Sequence, residues 1–299
     1  MMRKGVGCDM KKVALINDLS GFGRCSLTAA IPVISALGVT CHPIPTAVYT
    51  GQSGYPVYYS QDMTGMFQQY IEAWQQNKAR FDGIYSGYMT CPEQIEWMEE
   101  FLNTFATEDT FVLVDPVMGD DGNTYGIYSD KLLEAMKKIT RRANLITPNL
   151  TEACLLADVD YTGLVASLAG ERLLEEIAHI GMWLQKDAVV PQEVIITGVK
   201  IKENGVDYMY NVAVTAEGTY YGKQKLFDRS FSGTGDLFAS TVCGLKLNGH
   251  TTKKAMELAG DFIYKSIVDT VPENISRNDG INFEKNLMYL MKEGMMHEY

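Results

Sequence analysis

Short apolar runs alternate with longer amphipathic ones through most of this chain, and no other feature limits its fold so sharply. The runs at 11–17 (KKVALIN), 39–48 (VTCHPIPTAV), 81–87 (FDGIYSG), 111–119 (FVLVDPVMG), 144–149 (NLITPN) and 193–198 (EVIITG) read as strands or extended segments. Between them lie stretches with helical spacing. The first is 26–38, where Pro32 predicts a kink or a shortened helix ending at Gly38. The second is 62–77, with Met66, Tyr70, Ile71 and Trp74 on one side, and 91–105, 129–139 and 166–186 follow. Strands and helices in this alternation imply βαβ crossovers and a mainly parallel sheet with helices on both faces. At 205–227 the period changes to two around Gly218, which predicts an antiparallel hairpin at an edge. Further helices are expected at 235–247, 251–270 and 281–293. No Pro/Ser-rich linker or internal repeat divides the chain, so 11–299 reads as a single α/β domain and 1–10 as an N-terminal extension, with Met10 a candidate start.

Charge narrows the partners. The formal net charge is −11 and no long basic run is present, which argues against nucleic acid and anionic membrane surfaces. No stretch approaches the roughly 20 apolar residues that span a bilayer, and the first residues lack a signal-peptide core. Cys8, Cys25, Cys41, Cys91, Cys154 and Cys243 are scattered without a Cys-x-x-Cys pair, as are His42, His179, His250 and His297. Neither set has zinc-ligand spacing, and the cysteines read as reduced cytoplasmic thiols. An acidic chain can still hold phosphate through backbone amides or a metal ion.

In open α/β sheets, ligands bind beyond the carboxyl ends of the strands. Asn17-Asp18, Ser86-Gly87-Tyr88, Asp115-Pro116 and Thr147-Pro148-Asn149 all fall at such ends and together make one polar rim. A second feature is RSFSGTGDLFAS (229–240), a glycine turn opening a buried-looking helix. Its first N–H groups have no internal partner, and glycines let a ligand approach them closely, so Gly233, Thr234 and Gly235 suit an anion. Asp236 has two readings here: a helix cap, or a base that deprotonates a hydroxyl beside the amides. Other phosphate devices fare worse. GFGRCS (21–26) lacks the final glycine of a dinucleotide fingerprint, and no Gly-Lys-Ser/Thr P-loop exists.

DPVMG (115–119), TPNLTEA (147–153) and the late FSGTGDLFAS, in this order and spacing, resemble the ribokinase-like superfamily, and within it the pyridoxal/pyridoxine/pyridoxamine kinases and the related hydroxymethylpyrimidine kinases. The resemblance runs from about 11 to 290; ALG (36–38), TAVYTGQSGY (46–55) and SGY (86–88) fit the pyridoxal kinase side. It implies an ATP-dependent phosphotransferase acting on the 5′-hydroxymethyl group of a vitamin B6 vitamer, or alternatively on a hydroxymethylpyrimidine. It implies Gly233, Thr234, Gly235 and Asp236 as the catalytic turn, with Asp236 the base. Asp115, Tyr125, Thr147, Asn149 and Thr197 become candidate ATP contacts, and Asp115 and Glu152 candidate Mg²⁺ ligands, the latter through water. Asp18, Thr46, Tyr49 and Tyr88 become candidate contacts of the substrate ring. Many pyridoxal kinases read Ser-His after the first strand, whereas this chain reads Asn17-Asp18-Leu19-Ser20, so the ring it prefers stays open. The resemblance also implies a homodimer, a cytoplasmic enzyme and a small-molecule substrate, and leaves a K⁺ requirement open. A mobile flap is expected at 119–126 (GDDGNTYG). A non-catalytic binder on the same fold is the reading from another class.

Overall fold

The computed structural model describes residues 10–294; of the expected N-terminal extension, residues 1–9 lie outside this range. Parallel strands build the centre of one nine-stranded sheet: β1 (Lys12–Ser20), β2 (Thr40–Tyr49), β4 (Gly83–Ser86), β5 (Phe111–Val114), β8 (Leu145–Ile146) and β9 (Glu193–Glu203). With β3 (Ser60–Asp62), β10 (Val206–Thr215) and β11 (Gly218–Lys225), the order is β11-β10-β9-β8-β5-β4-β1-β2-β3. The hairpin around Gly218 forms the expected antiparallel edge. The opposite edge is antiparallel too, because β3 pairs with the end of β2.

The apolar runs work as anticipated. In β1, Ala14 and Ile16 enter one core layer while Val13 and Leu15 enter the other. A strand covered on both faces has no polar side to show, hence its near-continuous hydrophobicity. The first layer is capped by α2 (Phe67–Gln76), α3 (Pro92–Phe105), α4 (Asp130–Thr140), α5 (Leu150–Leu156), α6 (Tyr161–Ser167) and α7 (Gly170–Asp187). The second is capped by α1 (Ser26–Ala36), α8 (Thr234–Leu247), α9 (Thr252–Thr270) and α10 (Leu287–Gly294).

Several helices differ from expectation, and the last, expected over 281–293, begins only at Leu287 after a 3₁₀ turn over Glu284–Asn286. The helix expected from residue 62 starts at Phe67, because Asp62 belongs to β3 and its carboxylate takes the Thr64 N–H at 2.8 Å, opening a 3₁₀ turn over Thr64–Met66 instead. The helix expected from 166 starts at Gly170; α6 precedes it, and Leu168 and Ala169 are extended between the two. α5 was not expected, since its seven residues are too few for helical periodicity to register. Pro32 sits inside α1 without ending it, and Gly38 follows in the left-handed region at φ 79°. Outside the main sheet, β6 (Gly119–Asp120) and β7 (Asn123–Thr124) pair as a two-residue ribbon, which gives the expected flap a hairpin form.

Candidate active site

The carboxyl ends of β1, β2, β4, β5 and β8 converge on the amino end of α8. Gly233 occupies the position before the helix at φ 80°, and a Cβ there would lie 1.9 Å from the Arg24 carbonyl oxygen. No L-residue with a side chain fits, so the sharp entry into α8 depends on glycine. Gly235 has nothing within 4 Å of its notional Cβ and faces open space. No side chain caps α8, so its first amides stay available to an anion.

Asp236, in the first turn of α8, therefore does not cap its own helix. Its Oδ1 instead accepts from Asn17 Nδ2 at 3.2 Å, 219 residues away in sequence. Burial pushes its carboxyl up to about 6, and the nearby Asp18 charge adds to this against the Ser26 amide and the Asn17 bond. Asp18 is buried, with Ser26 Oγ donating to Oδ1 at 2.5 Å and Ser20 Oγ to Oδ2 at 3.0 Å; burial raises its pKa despite both bonds. Ser26 opens α1 at φ 49°, a left-handed conformation unusual for serine. That backbone places its N–H toward Asp236 and its hydroxyl on Asp18.

Asp115 and Glu152 form the next group. Asp115 follows β5 and accepts from Thr147 Oγ1 at 3.0 Å. Glu152 is buried in the first turn of α5 and accepts from the Met118 amide at 3.0 Å and the Asn149 amide at 2.8 Å. It closes a capping box with Asn149, which gives it a structural role at the start of α5 whatever else it does. Asn149 Nδ2 also donates to the Gly119 carbonyl at 2.7 Å, anchoring the flap, and Asn149 bridges to Thr197. Burial raises both acids, Asp115 also through Asp236 and Glu152 through Asp115. Tyr125 leaves the flap partly exposed; its phenol is raised by burial and then by Glu152, Asp120, Asp236 and Asp115.

Among the described residues, no group of three or more His, Cys, Asp or Glu is arranged to hold a metal unaided. Asp236 nevertheless raises the pKa of Asp115 and Asp115 that of Glu152, and the side-chain hydrogen bonds of these acids come from Thr147, Asn17 and backbone amides, not from lysine or arginine. A divalent cation that brings phosphate and water ligands fits such uncompensated acids.

Beside Asp18, tyrosines line the third wall. The Tyr49 and Tyr88 hydroxyls are 3.4 Å apart with rings edge to face, and Tyr58 stands 5.9 Å from Tyr49 between ring centroids. Thr46 is wholly buried; its hydroxyl donates to the Tyr88 carbonyl at 2.9 Å, which makes it a brace for the tyrosine turn. Sequence reasoning did not single out Asn17, Ser26 or Tyr58 as site residues. Asn17 carried a faint signal, being polar at the end of an apolar strand, while Tyr58 lies in a loop with no periodicity.

The arrangement joins an anion-binding helix end, a base of raised pKa, acids suited to a cation and an aromatic wall, which is the equipment of phosphoryl transfer to an alcohol. A family model described as phosphomethylpyrimidine kinase matches residues 23–280. A Bacteroides thetaiotaomicron protein provisionally named a phosphomethylpyrimidine kinase has a crystal structure 31% identical, with a TM-score of 0.87 over 95% of each chain, and another crystal form of it was obtained with pyridoxal. The pyridoxal kinase of Lactobacillus plantarum superposes with a TM-score of 0.84 at 23% identity, covering 97% of this chain and 99% of that one. The pyridoxine/pyridoxal/pyridoxamine kinase of Bordetella avium is 24% identical over 83% of this chain and 82% of its own. The chain belongs to the phosphomethylpyrimidine kinase family, within the ribokinase-like superfamily.

Proposed function

We propose that this phosphotransferase moves the γ-phosphoryl group of ATP onto the 5′-hydroxymethyl group of a vitamin B6 vitamer. One observation carries the reading: Asp236, a carboxyl poised near neutrality, stands at the head of a helix whose first amides are free, and Tyr49, Tyr58 and Tyr88 wall the space near Asp18. The tyrosine faces and edges suit a flat heteroaromatic ring, and the Asp18 carboxyl suits a polar ring substituent. The amides of Gly233, Thr234 and Gly235 receive the transferring group, and Asp236 takes the proton of the attacking alcohol. Asp115 and Glu152 would hold Mg²⁺, which would supply neutralisation of phosphate charge. Thr147, Asn149 and Thr197 shape the phosphate side, with Tyr125 above it on the flap. Relatives named as kinases of all three vitamers support the substrate class, as do related pyridoxal kinases solved with ADP and with AMP-PCP.

A second reading, phosphorylation of a hydroxymethylpyrimidine, is favoured by the acid at Asp18 and by the family model's own description. An ADP-release assay with pyridoxal, pyridoxine, pyridoxamine and hydroxymethylpyrimidine, each with Mg·ATP, separates the two. Turnover is expected with at least one vitamer; activity on the pyrimidine alone would sink the B6 reading. Asp236→Asn is expected to lower kcat at least about 100-fold while nucleotide binding survives. In the wild type, kcat/KM is expected to fall as pH drops through about 6, where the free base takes up its proton.

A further inference from the structure

We propose that Asn17 is the positioning residue of this site, its one amide group aiming the Asp236 carboxylate and fixing the two strand-end turns that face the acceptor. The inference rests on reading Asp236 as the base.

Asn17 is the last residue of the regular part of β1; the register against β2 shifts between Asn17 and Leu19. Its parity is that of Val13 and Leu15, whose side chains join the layer containing α8. Its side chain therefore leaves β1 toward the amino end of that helix. It is 1% exposed, so each of its polar atoms depends on protein partners. Oδ1 accepts from two backbone amides, Asp18 N–H and Tyr88 N–H, both at 2.9 Å. Two donors on one oxygen fix which way the amide points: Nδ2 faces the other way and donates to Asp236 Oδ1 at 3.2 Å. One planar group thus ties β1, the turn after β4 and the first turn of α8. The turn after β4 is built around it, since a Cβ on Gly87 would lie 2.4 Å from Asn17 Nδ2. Asn17 thus holds Oδ1 of the Asp236 carboxylate, which the Ser26 amide also bonds, and transfer rates fall steeply when a base is even slightly misplaced.

Asn17→Asp isolates the donor. It keeps an acceptor for Asp18 and Tyr88 but sets an oxygen against Asp236. The expected result is a kcat at least 10-fold lower, with nucleotide Kd within twofold of wild type. A kcat within twofold of wild type overturns the proposal. In an Asp236→Asn background the same substitution is expected to leave residual kcat within about twofold, because the group it orients is already gone. A further 10-fold loss there also overturns it, since Asn17 would then act elsewhere.

The double variant N17D/D236N reverses donor and acceptor across the same contact and is expected to regain the Tm lost in N17D, while staying inactive. If N17D does not fold and the reversed pair does, the contact stands; if neither folds, Asn17 serves the fold and the proposal falls. Wild-type protein inactive on every acceptor would instead refute the assigned reaction, and the Tm pattern would still report on the contact.

Discussion

Gly233 and Gly235 are two residues apart, yet they answer to different constraints. A side chain at Gly233 meets the Arg24 carbonyl, and its φ of 80° is costly for any other residue. At Gly235 nothing lies within 4 Å of the Cβ position, and in the proposed reaction phosphate approaches there. Gly233→Ala is therefore expected to disturb the entry of α8 and lower Tm by several degrees. Gly235→Ala is expected to leave Tm nearly unchanged while raising the KM for ATP 10-fold or more, because a methyl group intrudes where phosphate approaches the amides. Thermal melts and steady-state kinetics on both variants check this. Equal loss of Tm in the two would show that the turn is one structural unit with no open side.

At the scale of elements, the β6–β7 ribbon raises the question of what holds it over the site. The Asp121–Lys200 ion pair, at 2.5 Å, is the conspicuous contact, but both side chains are more than half exposed. Exposed pairs contribute roughly 0–1 kcal/mol at best. The base of the ribbon is better secured: Asn149 Nδ2 donates to the Gly119 carbonyl, and Gly122 N–H donates to Thr151 Oγ1 at 2.8 Å. Tyr161 packs so closely at Gly122, which has φ 77°, that a Cβ would come within 2.7 Å of its ring. Lys200→Ala is expected to change the KM for ATP less than twofold, and Asn149→Ala to raise it at least fivefold. The alanine also breaks the capping box of α5, with a stability loss of about 1 kcal/mol. A larger kinetic effect from Lys200→Ala would shift the anchoring to the surface pair.

The whole molecule carries the electrostatic consequence of gathering acids. Asp18, Asp115, Glu152 and Asp236 are all pushed up, by burial first. A carboxyl whose pKa is higher folded than unfolded binds its proton more tightly in the native state, so it weakens the fold at neutral pH. For Asp236 that penalty lifts as pH falls through about 6 and is gone near its ordinary value of 3.8. Asp62 and Asp82 run the other way. Burial raises each, but hydrogen bonds from Thr64 and Thr90, and from Lys11 and the Lys12 amide, outweigh it, and the stability they contribute is lost below about pH 4. Tm is thus expected to be higher near pH 5.5 than at 7.5. Asp236→Asn is expected to raise Tm at pH 7.5 by about 2 °C and to flatten the rise. Melting curves across this range decide it, and a Tm that climbs steadily from pH 5.5 to 8 would show that the acids are not strained. Much of this architecture was legible in order and spacing alone. Apolar runs reported the parallel strands because a strand covered on both faces has no polar alternation, and SGTGD at a helix start reported its amides because only glycine admits that approach. The edge strand β3, the split of α6 from α7 and the carboxyl bond of Asn17 were not legible, since each depends on partners far away in sequence. Whether Asp236 capped its own helix or faced another strand was likewise undecidable from a tetrapeptide; the packing of β1 against α8 decided it, because only three-dimensional closeness supplies a donor 219 residues distant.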